Sequence, residues 1–247
     1  MSGRNPRLSR ALTAHALLLS GLSFVHSLRA RGLRRTLLFA GPGLGLPILG
    51  EYLAVNVLKL LRHRTEPGVA GVPVAIALGW YNVGYATFAM MESVLSRTGS
   101  GEGKPGRALP PATALAATSL DLLMDPCGLD LGLWEWSVGG RYASEVAGPN
   151  GKRGVPLVNF AGWLGLIASV TTVYQHLDPP GDAAGPPRRE TAGNPEAGRC
   201  AALLLLPYYL PAAAWALRRR RRKYLLYSAP FSAVLLWTAL GGRPLGR

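Results

Sequence analysis

Residues 119–163 read SLDLLMDPCGLDLGLWEWSVGGRYASEVAGPNGKRGVPLVNFAGW, and the fold turns on how this stretch is divided. An apolar run leads to Asp121 and Asp125. Their spacing of i and i+4 puts both carboxylates on one face of a helix, about 6 Å apart along its axis. Pro126 disfavours the α conformation at Asp125 and is expected to end that helix. The segment from Cys127 to Arg153 is too polar to span a bilayer. Its Leu129, Leu131, Leu133, Trp134 and Trp136 predict an amphipathic re-entrant or surface element, with the two tryptophans also readable as an interfacial belt. At GVPLVNFAGW an apolar helix resumes, and its four-residue spacing sets Asn159 and Trp163 on the same face.

Composition extends this reading to the whole chain. Of 247 residues, 49% are hydrophobic and 16% charged, and the mean hydropathy is +0.18. The apolar residues fall in blocks near the length that crosses a hydrocarbon core. The predicted fold is therefore an all-α polytopic membrane helical bundle of about seven spans (six to eight), forming one domain over residues 1–247. The spans are placed at about 11–29, Leu37–Leu58, Val69–Leu95, Ala112–Met124, 154–174, Cys200–Leu217 and Tyr224–Leu240. Polar, Pro/Gly-rich loops are expected at Arg97–Pro111 and 178–199, and a disordered basic start over residues 1–10.

The net charge of +14 comes from 27 Lys and Arg residues lying in the breaks between apolar blocks, as expected of groups that face lipid headgroups rather than nucleic acid. Alternate loops carry 15 and 12 of these cations. The positive-inside rule then puts the N-terminus and Arg218–Lys223 on the cytoplasmic side of a cell membrane. Cys127 and Cys200 make no metal or disulfide pattern, and His15, His26, His63 and His176 are scattered, His63 in a basic loop, so no metal and no cofactor are expected.

Inside the second span, GPGLGLP at Gly41–Pro47 is expected to kink the helix and admit a close neighbour. Glu51 follows within the same apolar run. A carboxylate there marks a functional site, with Asn56 or the central stretch as its partner, or else pairs with Lys59 or Arg62 near the interface. In the third span, Trp80, Tyr81 and Tyr85 either line a cavity or pack between helices, and Glu92 lies near its far end. With alternating spans, Glu51, Asp121, Asp125, Asn159 and the Trp134–Trp136 segment all fall on one side of the membrane. No internal repeat is present, which disfavours a transporter built from related halves.

The pattern Asp121, Asp125-Pro126, Trp134-x-Trp136, Gly139-Gly140, Tyr142, then Gly154-Val155-Pro156, Asn159-Phe160 and Gly162-Trp163 resembles the integral-membrane carotenoid biosynthesis proteins that include the carotenoid 1,2-hydratases acting on bisanhydrobacterioruberin or γ-carotene. Glu51, Gly71, Val72, Pro73 and Trp80 extend the resemblance upstream, to cover about residues 48–175. Two departures stand out: VLKLLRHRTEPG replaces an aromatic, Gly-containing run after Glu51, and SEVAGPNGKR is inserted between Tyr142 and Gly154.

The resemblance implies addition of water across a terminal isoprenoid C1=C2 bond of a carotenoid substrate in membrane lipid. An acid protonates C2, and water captures the tertiary cation at C1. Asp121, the deeper carboxyl, is the candidate acid. Asp125 or Glu51 would hold the water and Asn159 would orient either. Trp134, Trp136 or Trp163 would face the cation, and Trp80 would help line the slot. Cyclisation shares the same first protonation, and a non-catalytic carotenoid-binding protein would carry the same apolar slot.

Overall fold

A computed structural model of the chain describes residues 6–98, 106–178 and 194–241. It is 76% helix, as the apolar blocks require. The long helices are α1 (Pro6–Tyr52), α2 (Val74–Thr98), α3 (Leu109–Asp130), α4 (Leu157–Leu177) and α5 (Pro195–Arg218); the short α6 (Lys223–Tyr227) and α7 (Ala229–Ala239) follow. Four helical segments are long and apolar enough to cross a membrane: Pro6–Val57, Val74–Thr98, Leu157–Leu177 and Pro195–Arg218. The expected loop at 178–199 and the expected disordered start lie partly outside the described residues. Within the described ones, Pro195 already opens α5 and Pro6 opens α1.

The first of these segments contains a reversal. Gly32 sits at φ 77°, ψ 167°, a conformation accessible to glycine and strained for any other residue. Before it, contacts with α2 advance together. Ser20 Oγ donates to the Leu78 carbonyl, His26 meets Tyr85 Oη, and Arg31 pairs with Glu92. After it, they run backwards: Phe39 packs on Phe88 and Tyr85, Gly43 lies against Tyr81, and Glu51 bonds Trp80. Ser27 and Thr36 hydroxyls join at 3.0 Å across the turn. Residues 6–31 and 33–52 thus form an antiparallel helical hairpin, matching two sequence spans. At Gly41–Pro47 the helix runs on through Pro42 and Pro47 without leaving helical φ/ψ, and the expected close neighbour is Tyr81 beside Gly43, with Leu166 against Gly50.

α2 is the central helix. Every residue from Trp80 to Ser93 is buried, so it packs on all sides. At the end opposite the N-terminus, Arg31 meets Glu92 at 2.6 Å with both nearly sealed from solvent, and Arg34 and Arg35 reach Asp178 at 3.4 and 3.2 Å. Glu92 is therefore half of a buried ion pair.

Six short strands, absent from the all-α expectation, occupy the two connections on the N-terminal side of the bundle. They are β1 (Leu61–His63), β2 (Gly68–Val69), β3 (Val72–Pro73), β4 (Trp134–Trp136), β5 (Tyr142–Ala147) and β6 (Arg153–Val155). The β2–β3 hairpin takes the place of the expected first turn of the third span. β1 and β4 pair antiparallel with His63 opposite Trp134 and Leu61 opposite Trp136. Side chains alternate across a strand, so Leu61, His63, Trp134 and Trp136 share the inward face, and Arg62 and Glu135 turn outward to each other. The Trp-Glu-Trp triplet is this alternation.

α3 does not stop at Pro126; it continues to Asp130. A proline inside a helix deprives one carbonyl, here that of Leu122, of its N–H partner. Tyr142 Oη donates to that carbonyl instead, so the missing bond is replaced from β5. The β5–β6 ribbon is closed by glycines. A Cβ on Gly140 would stand 1.8 Å from the Val155 carbonyl, and one on Gly154 would stand 2.1 Å from that of Gly140. This close approach delivers the chain into Pro156 and the first turn of α4 beside α3.

Candidate functional site

The end of α1, the start of α2, the C-terminal half of α3, the start of α4 and the β1–β4 ribbon surround one cavity of about 390 Å³. That volume lies in the usual range for small-molecule sites, roughly 300–1,000 Å³. All eight residues singled out in the sequence line it: Glu51, Trp80, Asp121, Asp125, Trp134, Trp136, Asn159 and Trp163. The rest of the wall is largely apolar, from Leu8, Leu12 and Ala16 of α1 to Met124, Leu131 and Leu133.

Asp121 and Asp125, both almost fully buried, meet a single amide. Asn159 Nδ2 donates to Asp121 Oδ2 and to Asp125 Oδ2, each at 2.8 Å. An amide nitrogen carries two hydrogens, so one donor group serves both acids. Asp125 also accepts from Trp134 Nε1 at 2.5 Å. Gly128 makes that bond possible: it lies one turn below the carboxyl, and the Trp134 ring occupies the space a side chain would take.

Glu51 belongs to the same cavity but has its own partners. Its Oε1 accepts from Trp80 Nε1 at 2.8 Å, and its Oε2 meets His63 Nε2 at 2.8 Å. The expected partners are corrected here. Asn56 bonds the Tyr52 and Ala70 carbonyls, and among the described residues neither Lys59 nor Arg62 reaches Glu51. Trp80 in turn stacks on Trp163, with centroids 3.8 Å apart and planes 22° from parallel. Tyr81 and Tyr85 pack on Phe39 instead of lining the cavity.

Sequence reasoning missed His15, which lines the cavity, and His63, which bonds Glu51. His63 is the one whose position is instructive. It sits in a run of basic residues, and only the strand alternation turns it inward while Arg62 turns out. The Leu-Arg-His and Trp-Glu-Trp triplets, read as a pair of alternating strands, were the available signal. Among the described residues no group of three His, Cys, Asp or Glu side chains is arranged to hold a metal ion. The arrangement is suited to moving protons: three carboxyl groups and the imidazoles of His15 and His63 in a largely apolar slot.

Comparison with curated proteins returns no match, and comparison with solved structures returns none either. A family model described as carotenoid biosynthesis protein matches residues 12–192, which takes in every element that supplies a carboxyl group to the cavity. The chain belongs to this carotenoid biosynthesis protein family.

Proposed function

We propose that the protein is a carotenoid hydratase of the cell membrane, adding water across a terminal isoprenoid C1=C2 bond to give a tertiary alcohol. The observation that carries this is the pair of buried carboxyls bridged by Asn159 inside an apolar cavity. Asp121, with one N–H donor against two on Asp125, is the acid that protonates C2. Asp125, fixed by Trp134 and Asn159, faces the tertiary cation as a counter-charge. Trp136 and the Trp80–Trp163 stack give the cation aromatic neighbours, an interaction worth about 0.5–2 kcal/mol.

The slot fits a long polyene that stays partly in lipid. Its outer wall is formed by the first turns of α1 and by Pro207–Ala212 of α5, and there exposed Ala11 and Pro211 border it. An isoprenoid end group would enter sideways between these helices while the remaining chain lay along the bundle. In this reading both halves of α1, together with α2, α3, α4, α5 and the α6–α7 segment, make seven spans. The site then shares its side with the N-terminus and Arg218–Lys223. That side carries 15 of the 27 Lys and Arg residues, so the site faces the cytoplasm, where water is at hand.

The test is expression in a host that makes acyclic or monocyclic carotenes, with mass analysis of the pigments. The expected product gains the mass of one water per reacted end. Asp121→Asn is expected to lower its yield by about 10²-fold or more. A product of unchanged mass with a new ring would replace hydration by cyclisation, and wild-type yield from Asp121→Asn would remove Asp121 as the acid.

A further inference from the structure

The proposed hydration needs a group to take the proton that water loses when it captures the cation, and Asp121 and Asp125 are already assigned. The inward face of the β1–β4 ribbon carries a polar atom sealed from solvent and without a hydrogen-bond partner among the described residues, His63 Nδ1, on a residue that lines the cavity. Trp136, its diagonal neighbour on that face, directs its N–H to the Asp125 carboxyl. A buried polar atom left unpaired costs on the order of 1–3 kcal/mol, so His63 Nδ1 calls for a ligand in the cavity.

With His63 Nε2 donating to the Glu51 carboxyl oxygen, Nδ1 keeps its lone pair. Trp80 holds the other oxygen of Glu51, which fixes the carboxylate and through it the ring. Of the other charged groups near the ribbon, Arg62 and Arg64 are turned to Glu135. The Nδ1 lone pair accepts a hydrogen bond from a water molecule in the cavity.

From this geometry we infer that His63 is the general base of the reaction, holding the nucleophilic water and taking its proton at Nδ1, with Glu51 as the residue that positions it. This rests on the hydration reading above. The steps balance. Asp121 gives its proton to C2, and the C1=C2 pair becomes the new C2–H bond. A lone pair of the water oxygen forms the C1–O bond. One O–H bond breaks, its electrons stay on oxygen, and its proton goes to His63. The imidazolium, stabilised by Glu51, returns that proton through water to Asp121, and the sum is alkene plus water to alcohol.

The experiment uses membranes containing the full chain and an acyclic carotene, in deuterated water. Wild type is expected to give alcohol deuterated at C2. His63→Gln is expected to lower alcohol formation by about 10²–10⁴-fold. The substrate recovered from it is expected to carry solvent deuterium, because Asp121 still protonates C2 and the uncaptured cation gives a proton back. Imidazole added to His63→Ala should restore part of the alcohol. Wild-type alcohol formation by His63→Gln overturns the inference and leaves the hydration reading intact. Loss of both alcohol and exchange, with no rescue of His63→Ala by imidazole, also overturns it, since His63 would then only hold the fold. A wild-type protein that forms no alcohol overturns both.

Discussion

Gly128→Ala tests whether Trp134 is held on Asp125 by the shape of α3. A Cβ at this position would stand 2.1, 2.2 and 2.8 Å from Cη2, Cζ2 and Cζ3 of the Trp134 ring. Carbon atoms rest about 3.5–4.0 Å apart, so the ring must retreat by about 1.5 Å. The Nε1 bond to Asp125 is 2.5 Å long, and such a retreat takes it past the limit of a hydrogen bond. Losing a donor to a buried carboxylate costs about 1.5–3 kcal/mol. Replacing a helical glycine by alanine returns up to about 1 kcal/mol. The net is a destabilisation of about 1–2 kcal/mol and, where Asp125 faces developing charge, a roughly tenfold slower reaction. All three crowded atoms lie on the six-membered ring of the indole, beyond the reach of phenylalanine. Trp134→Phe therefore removes both the bond and the clash, and on that background Gly128→Ala should be neutral or slightly stabilising. The assay is thermal unfolding in detergent of wild type, the two single variants and the double variant, with product formation in membranes alongside. An equal loss from Gly128→Ala on both backgrounds, or no loss on the wild-type background, would refute the reasoning.

Three further outcomes follow from the packing. Glu92→Gln leaves the buried Arg31 guanidinium without this counter-charge and should cost about 3–5 kcal/mol in thermal unfolding, while adding Arg31→Met should bring the cost below that of Glu92→Gln alone. Tyr142→Phe should cost about 1 kcal/mol, and less on a Pro126→Ala background, where the Leu122 carbonyl regains a backbone donor; equal costs on both backgrounds would deny the compensation. Burial raises the Glu145 carboxyl, but hydrogen bonds from Lys223 and Tyr224 and the Lys223 charge outweigh it and hold the group at about 2. A depressed carboxylate stabilises the fold above its unfolded pKa, about 4.3, and loses that contribution as pH falls through the folded value. Lys223→Met should thus lower the unfolding temperature near neutral pH, with the effect shrinking to a small fraction as pH falls to about 2.

The long helices were readable because lipid forces apolar side chains into runs that no soluble connection shares. The Asp121–Asp125 face and Asn159 were readable because helical spacing is fixed and carboxyl groups inside such runs are rare. Reading failed where a tertiary partner decided the local outcome. Pro126 ends a helix only if the orphaned Leu122 carbonyl finds no donor, and Tyr142, sixteen residues on, supplies one. The break in α1 lies at Gly32, a lone glycine among arginines, whereas the glycines and prolines at 41–47 remain helical, and of these glycines only Gly43 has close neighbours, Phe39 and Tyr81. His63 was hidden by its charged neighbours, since a three-residue strand is too short to display its alternation unless its partner strand is known.

The division of the cavity between stretches of chain carries its own consequence. Every carboxyl group, the imidazole of His63 and the amide of Asn159 come from the matched residues 12–192, whereas one flank is formed by Pro207, Tyr208, Pro211 and Ala212 of α5, which lies beyond them. Reactive groups and one boundary of the chamber are thus encoded apart. Bulk added to or removed from those four positions would reshape the guest's berth without altering any acid, so pigment preference and bond-making can drift independently.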